Sequence, residues 1–169
     1  RTCLKPIKPL NRSVKNLTSQ HHFNMSEVKN VPRLRFSQFE GKWKEKSIQE
    51  LIDDKSIIGH LDGNHGALYP TSNEFSDDGI PYVTASDIVN NKINPNLSKK
   101  LPINRALTFK KGISKNGDLL FAHNATVGPV SILETNYDFV ILSTTLTYYR
   151  FDCEKIIPHY FFNFFQTQY

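Results

Sequence analysis

The sequence predicts an α+β domain, a twisted and mainly antiparallel sheet with few helices, and three observations carry that expectation. Short apolar runs stand between turn signals, above all Leu119, Leu120 and Phe121, and then residues 130–133, on either side of a polar break. Such runs are apolar on both faces and too short for helices, which marks buried strands. Strand character recurs at 80–85 and 139–151, whereas helix signals occur at only two places.

Residues 31–43 read as extended, because Pro32 disfavours helix before it, with Phe36, Phe39 and Trp43 available to staple the segment onto a core. Ser47 and Glu50 form a capping-box pattern that opens a short helix through about Asp54, with Leu51 and Ile52 inward. Residues 57–73 read as loop, rich in glycine and polar groups, and 94–105 as loop around Pro95 and Pro102. The centre of the chain, 117–133, reads as strand, loop, strand. Gly128 and Pro129 hold His123, Asn124 and Thr126 at the rim of a sheet. Residues 139–151 read as one long strand, with Leu142, Leu146 and Tyr148 on one face and Ser143, Thr145, Thr147 and Tyr149 on the other. Pro158 suits the first turn of a closing helix that sets Ile157, Phe161, Phe164 and Phe165 on one stripe for packing.

The length of 169 residues fits one domain with a core of its own. The net charge of +5 suggests a nucleic-acid partner until its distribution is considered. Arg1, Lys5, Lys8, Arg12 and Lys15 lie in a first segment, 1–24, that has no acid and no periodicity and is expected to be disordered; the remainder is balanced. Within the remainder, Lys92, Lys99, Lys100, Arg105, Lys110, Lys111 and Lys115 fall in a span, 88–117, that contains no acid. That span is a candidate phosphate-facing surface; a merely solvated face is the competing reading. No apolar run approaches the roughly 20 residues needed to cross a bilayer, so no membrane partner is expected. Cys3 and Cys153 provide neither a disulfide framework nor a zinc set, which favours a reducing, cytoplasmic setting.

Catalytic signatures are missing from the sequence. Asp62, His65, Asp77, Asp78 and His123 are possible metal ligands, but no recognised metal spacing joins them. Ser143 lacks a nucleophile elbow, and there is no glycine-rich turn for S-adenosylmethionine and no phosphate loop for ATP. The chain is therefore expected to bind no cofactor and to catalyse nothing itself.

The central stretch, GDLLFAHNATVGPVSIL, resembles the signature of target recognition domains in specificity (S) subunits of type I restriction-modification systems. VPRLRFSQFEGKWKEKSIQEL, IIGHLDGNHGALYPTSNEF, GIPYVTASDI, LSTTLTYYRFD and PHYFFNFF agree with it and follow in the family's order, covering roughly 28–169. The resemblance implies a single target-recognition domain over 25–158, followed by the start of a truncated helix over 159–169, and a native start at Met25. It implies duplex DNA as a partner, together with methyltransferase and restriction endonuclease subunits that supply S-adenosylmethionine, ATP, Mg and catalysis. A specificity module of a fused restriction enzyme and a degenerate, non-binding fragment are the rival readings.

Reading bases requires amide, hydroxyl and charged side chains held on loops. The expected DNA-binding residues are Asn64, His65, Tyr69, Thr71, Asn73, Thr84, Ser86, His123, Asn124 and Thr126 on the loops, with Lys99, Lys100, Lys110 and Lys111 on phosphates. Each of the loop residues has a plainer reading as a turn-former.

Overall fold

A computed structural model describes residues 36–37, 40–42, 44–63, 69–124 and 127–167. The segment 1–24, Met25, Phe39 and Trp43 lie outside the described residues; Phe36 is 66% exposed and does not enter the core.

The first helix, α1 (Ile48–Asp53), starts where the capping pattern places it. The Glu50 N–H donates to Ser47 Oγ at 3.2 Å, and the Ser47 N–H donates to Glu50 Oε2 at 2.7 Å. Strand β1 (Ile57–Asp62) follows, then β2 (Ile80–Val83), a hairpin of β3 (Ile88–Val89) and β4 (Lys92–Ile93), and β5 (Lys99–Leu101). After α2 (Ile103–Ala106) come β6 (Ile113–Ser114), β7 (Leu119–Ala122), β8 (Val130–Ile132), β9 (Val140–Leu142), β10 (Leu146–Phe151) and α3 (Pro158–Gln166).

The α+β class and the mainly antiparallel pairing are as expected, but the strands divide between two four-stranded sheets and the small hairpin. The first sheet runs β1-β10-β7-β8, antiparallel throughout; the second runs β5-β2-β9-β6, with β2 and β9 parallel. Alternation along each strand builds the layers. Leu120, Ala122, Leu146 and Tyr148 of the first sheet meet Val83, Val140 and Leu142 of the second in an interlayer core. The opposite face of the first sheet, with Leu119, Val130 and Phe151, packs on Leu51 of α1 and Phe161 of α3. The opposite face of the second, with Tyr82, Leu101 and Ile141, takes Ala106 of α2 and Phe109. Removing a buried leucine from such a layer costs about 2–5 kcal/mol, which ranks the interlayer core among the main sources of stability.

Three sequence expectations are corrected. Residues 57–62 form a strand rather than a loop. As an edge strand with a register irregularity between Ile57 and Gly59 it buries only Ile57, so no alternation reaches the sequence. The 94–105 stretch holds β5 and α2, too short for periodicity to appear. The expected long strand 139–151 is two strands in different sheets, broken at 143–145. In the closing helix Phe161 is buried and Phe165 half-buried, while Phe164 and the capping Ile157 are exposed; the aromatic stripe packs only in part.

Candidate nucleic-acid interface

The break at 143–145 carries the chain from the second sheet to the first, and four segments meet there. The Ser143 N–H donates to the Val83 carbonyl at 2.8 Å, tying the break to the end of β2. The Gly63 N–H donates to the Leu146 carbonyl at 2.9 Å, bringing in the end of β1. From β7, the His123 N–H donates to the Thr145 carbonyl at 3.2 Å. Thr145 Oγ1 accepts the Ala85 N–H at 3.0 Å and lies 2.7 Å from Ser143 Oγ. Gly63 is required by this convergence, because a Cβ there would stand 1.7 Å from the Ser143 carbonyl oxygen.

Thr84 and Ser86 sit on a turn at this junction. Both the N–H and the Oγ1–H of Thr84 donate to Asp87 Oδ2, at 2.7 and 2.9 Å, and Ser86 Oγ lies 2.8 Å from Thr84 Oγ1. The turn-forming reading holds here: Asp87 fixes the backbone, and Ser86 stays exposed. His123 is half-buried, with Nε2 3.8 Å from Asp62 Oδ1, and Asn124 beside it is exposed. Asp62 also accepts from Thr147 Oγ1 on the neighbouring strand. Burial, and then the Asp62 carboxylate, push the Tyr149 hydroxyl up from its ordinary value, so this face keeps a neutral phenol next to an acid.

Tyr69, Thr71 and Asn73 form a second group, toward the outer face of the second sheet. Tyr69 is exposed and meets Tyr82 edge-on, with ring centroids 6.4 Å apart. Burial raises the Tyr82 phenol further above its usual range, with Tyr69 a smaller contribution. Thr71 donates from its N–H and Oγ1–H to Glu74 Oε2, at 2.7 and 3.0 Å, in a second small capping box. The Thr71 N–H, then the Arg105 guanidinium, hold Glu74 below the usual carboxylate value. Arg105 is thus committed to Glu74, to Thr108 and to the Phe109 ring, and it serves as a strut of the basic span.

The four lysines occupy the two edges of the second sheet. Lys99 and Lys100 belong to β5 at one edge, with the Lys99 ammonium 5.2 Å from the centre of the Phe75 ring. Lys110 and Lys111 are exposed and lead into β6 at the other edge, beside Gly112, whose carbonyl accepts the Leu142 N–H at 2.7 Å. The register sets Lys99 opposite Tyr82, and Gly112 level with Leu142. Both pairs therefore flank the end of the sheet that carries Thr84 and Ser143. Asn64, His65 and Thr126 lie outside the described residues.

The junction is hidden in the sequence, where Ser143 and Thr145 read as mid-strand and Gly63 as loop. The run of small polar residues Ser143, Thr144 and Thr145 between apolar runs is the available signal. Asp118 is hidden as well, 1% exposed at the opposite end of β7. Asp118 accepts from Arg150 Nε and Nη2 at 2.8 and 2.6 Å, from Ser114 Oγ at 2.9 Å and from the Lys115 N–H at 2.7 Å. The hydrogen bond to Asp118 raises Arg150 further above its ordinary value.

Among the described residues no group of three or more histidine, cysteine, aspartate or glutamate side chains is placed to hold a metal ion. No described helix is long and apolar enough to cross a membrane.

No family model and no curated protein matches the chain. Among solved structures, the HsdS subunit from Thermoanaerobacter tengcongensis is similar, with a TM-score of 0.49 and 14% identity. A structure concerned with complex assembly and conformational transition of the type I R-M system is similar, with a TM-score of 0.48 and 14% identity. The HsdS subunit and the type I R-M system named there are of the kind of system that the sequence resembles. Each comparison covers 63% of this chain and 24% of the other, so the chain spans about a quarter of the length of each neighbour.

Proposed function

We propose that this domain binds duplex DNA sequence-specifically, as all or part of the specificity subunit of a type I restriction-modification system. In that role it performs no chemistry. It delivers the target to methyltransferase and restriction endonuclease subunits, which hold S-adenosylmethionine, ATP and Mg, in the cytoplasm.

The observation that carries the reading is the arrangement of charge around the loops. Lysine pairs stand at the two edges of the second sheet, three strand spacings apart, or roughly 14 Å. That separation is comparable to the major-groove width of roughly 12 Å. The pairs can therefore approach phosphates on both walls of the groove while the Thr84 turn between those edges, and the His123–Asn124 loop joined to it through Thr145, face base edges. Lysine contacts to phosphate position the duplex without reading it; the amide and hydroxyl groups supply discrimination.

The test is selection of binding sites from random duplexes by the isolated chain, followed by affinity for the selected site and for single mismatches at one fixed salt concentration. The expected result is a defined site with each mismatch costing about 1–3 kcal/mol. Equal affinity for every duplex, or no binding at low salt, would overturn the proposal and favour a degenerate fragment.

A further inference from the structure

Thr145 is the one residue of the junction that holds two of the proposed reading loops at once. Its hydroxyl accepts the Ala85 N–H at 3.0 Å, fixing the Thr84–Asp87 turn that leaves the second sheet. Its carbonyl accepts the His123 N–H at 3.2 Å, fixing the loop that leaves the first sheet. A hydroxyl that accepts one hydrogen bond still has a proton to give, and Ser143 Oγ is 2.7 Å away to share it. Ser143 is itself 2% exposed and tied through its N–H to Val83, so the bond pattern closes back onto the end of β2.

From this geometry we infer that Thr145 is a positioning residue for sequence discrimination: it sets the spacing between the Thr84–Asp87 turn and the His123–Asn124 loop without itself touching a base. The inference rests on the DNA-recognition reading and deepens it. A base edge is read only by groups held in register with one another, and an error in loop spacing weakens every specific contact while leaving phosphate contacts alone. Valine at 145 keeps the β-branched shape and the carbonyl but removes the acceptor for Ala85. That separates the two anchors, because the His123 anchor is a backbone bond and survives.

The experiment compares the wild-type chain, Thr145→Val and Thr145→Ser. Each is measured against the selected duplex, single-mismatch duplexes and random DNA at one salt concentration, with amide hydrogen exchange read at Ala85 and His123. Loss of one neutral hydrogen bond corresponds to about fivefold. Thr145→Val should lower the ratio of selected-site to mismatch affinity by about that factor. Affinity for random DNA should be unchanged, the Ala85 amide should exchange faster than in wild type, and His123 should hold. Thr145→Ser should restore both the ratio and the protection. An unchanged ratio in Thr145→Val, with the Ala85 amide exposed, would overturn the inference while leaving DNA recognition standing. So would an equal loss on all duplexes, including random DNA. A wild-type chain that prefers no sequence would overturn the functional reading and this inference together. Should Thr145→Val fail to fold, Ser143→Ala provides the milder test, with a smaller fall in the same ratio expected and an unchanged ratio overturning the inference.

Discussion

Two of the places where the chain passes between its sheets are built from opposite chemistry. At one end of β7, Asp118 closes the interlayer core as a buried carboxylate. It is bound to Ser114 on the second sheet and bidentately to Arg150 on the first. At the other end, Ser143 and Thr145 join the sheets through neutral hydroxyls and backbone groups, and the loops emerge there. The corners lie about 13 Å apart, the length of a four-residue strand. A buried charge pair tolerates no change in its geometry, since either partner alone is left desolvated and unpaired. Hydroxyls that bond backbone groups hold their neighbours at lower cost and leave adjacent side chains such as Ser86 and Asn124 facing solvent. Under the proposed function, the framework falls to the ionic corner and the reading loops to the hydroxyl corner.

The sharpest way to break the comparison is Asp118→Ala. It leaves Arg150 without its buried partner, and because that guanidinium is 30% exposed and can turn to solvent, the expected loss is about 3 kcal/mol in a denaturant melt, the low end for a broken buried pair. Replacing Asp118 by leucine together with Arg150 by methionine should recover most of that loss, since apolar residues of similar volume are often neutral at such sites. Any version that folds should keep its preference among duplexes. A changed preference would show that the ionic corner also sets the reading loops.

Gly63→Ala probes the other corner. A methyl group 1.7 Å from the Ser143 carbonyl forces β1 and the junction apart, with an expected cost of about 1–3 kcal/mol. Unlike Asp118→Ala, it should reduce discrimination between selected and mismatched duplexes by more than it reduces binding to random DNA. Retention of full discrimination in a destabilised protein would remove the junction from the recognition surface.

How legible these corners were depends on what surrounds each residue. Leu119, Leu120 and Phe121 betray a strand because both faces of β7 are packed, one against the second sheet and one against the helices. The capping box at Ser47 is a purely local signal, and the helix follows it. The break at 143–145 is hidden because Leu142 and Leu146, on different sheets, face the same interlayer core. Their even spacing imitates one strand. Asp118 stands in a turn, where an acid that bonds its neighbours is commonplace; its ion pair comes from Arg150, distant in sequence. β1 is an edge strand whose exposed residues carry no alternation. Of the expected site residues, Thr71, Thr84 and Ser86 lie on or at short tight turns, as their residue types suggest. Their anchoring to Glu74, Asp87 and Thr145 is tertiary.

Within the hydroxyl corner, Asn124→Ala separates reading from folding. Asn124 is exposed but has an interaction of its own, so the expected loss of stability is at most about 1.5 kcal/mol. If its amide contacts a base, discrimination at one position of the selected site should fall by about 1–3 kcal/mol. Equal losses on every duplex, accompanied by a lowered melting temperature, would make Asn124 a turn residue alone.

At the sheet edges the two lysine pairs can be told apart. Lys110 and Lys111 are exposed, and replacing both with glutamine should change the melt by no more than about 1 kcal/mol. Lys99 lies over the Phe75 ring, so the Lys99 and Lys100 double substitution should in addition cost about 0.5–1 kcal/mol. Affinity for selected and random duplexes should fall alike in both variants. The slope of log affinity against log salt should flatten by up to about 0.9 for each phosphate that is no longer neutralised. If the duplex lies across the end of the second sheet, both pairs contribute to that slope, because they bracket the loops from opposite edges. A slope altered by one pair and untouched by the other would place the duplex along a single edge. The loops would then read it from the side, with Tyr69 and Asn73 the nearer readers if the active pair is Lys99 and Lys100.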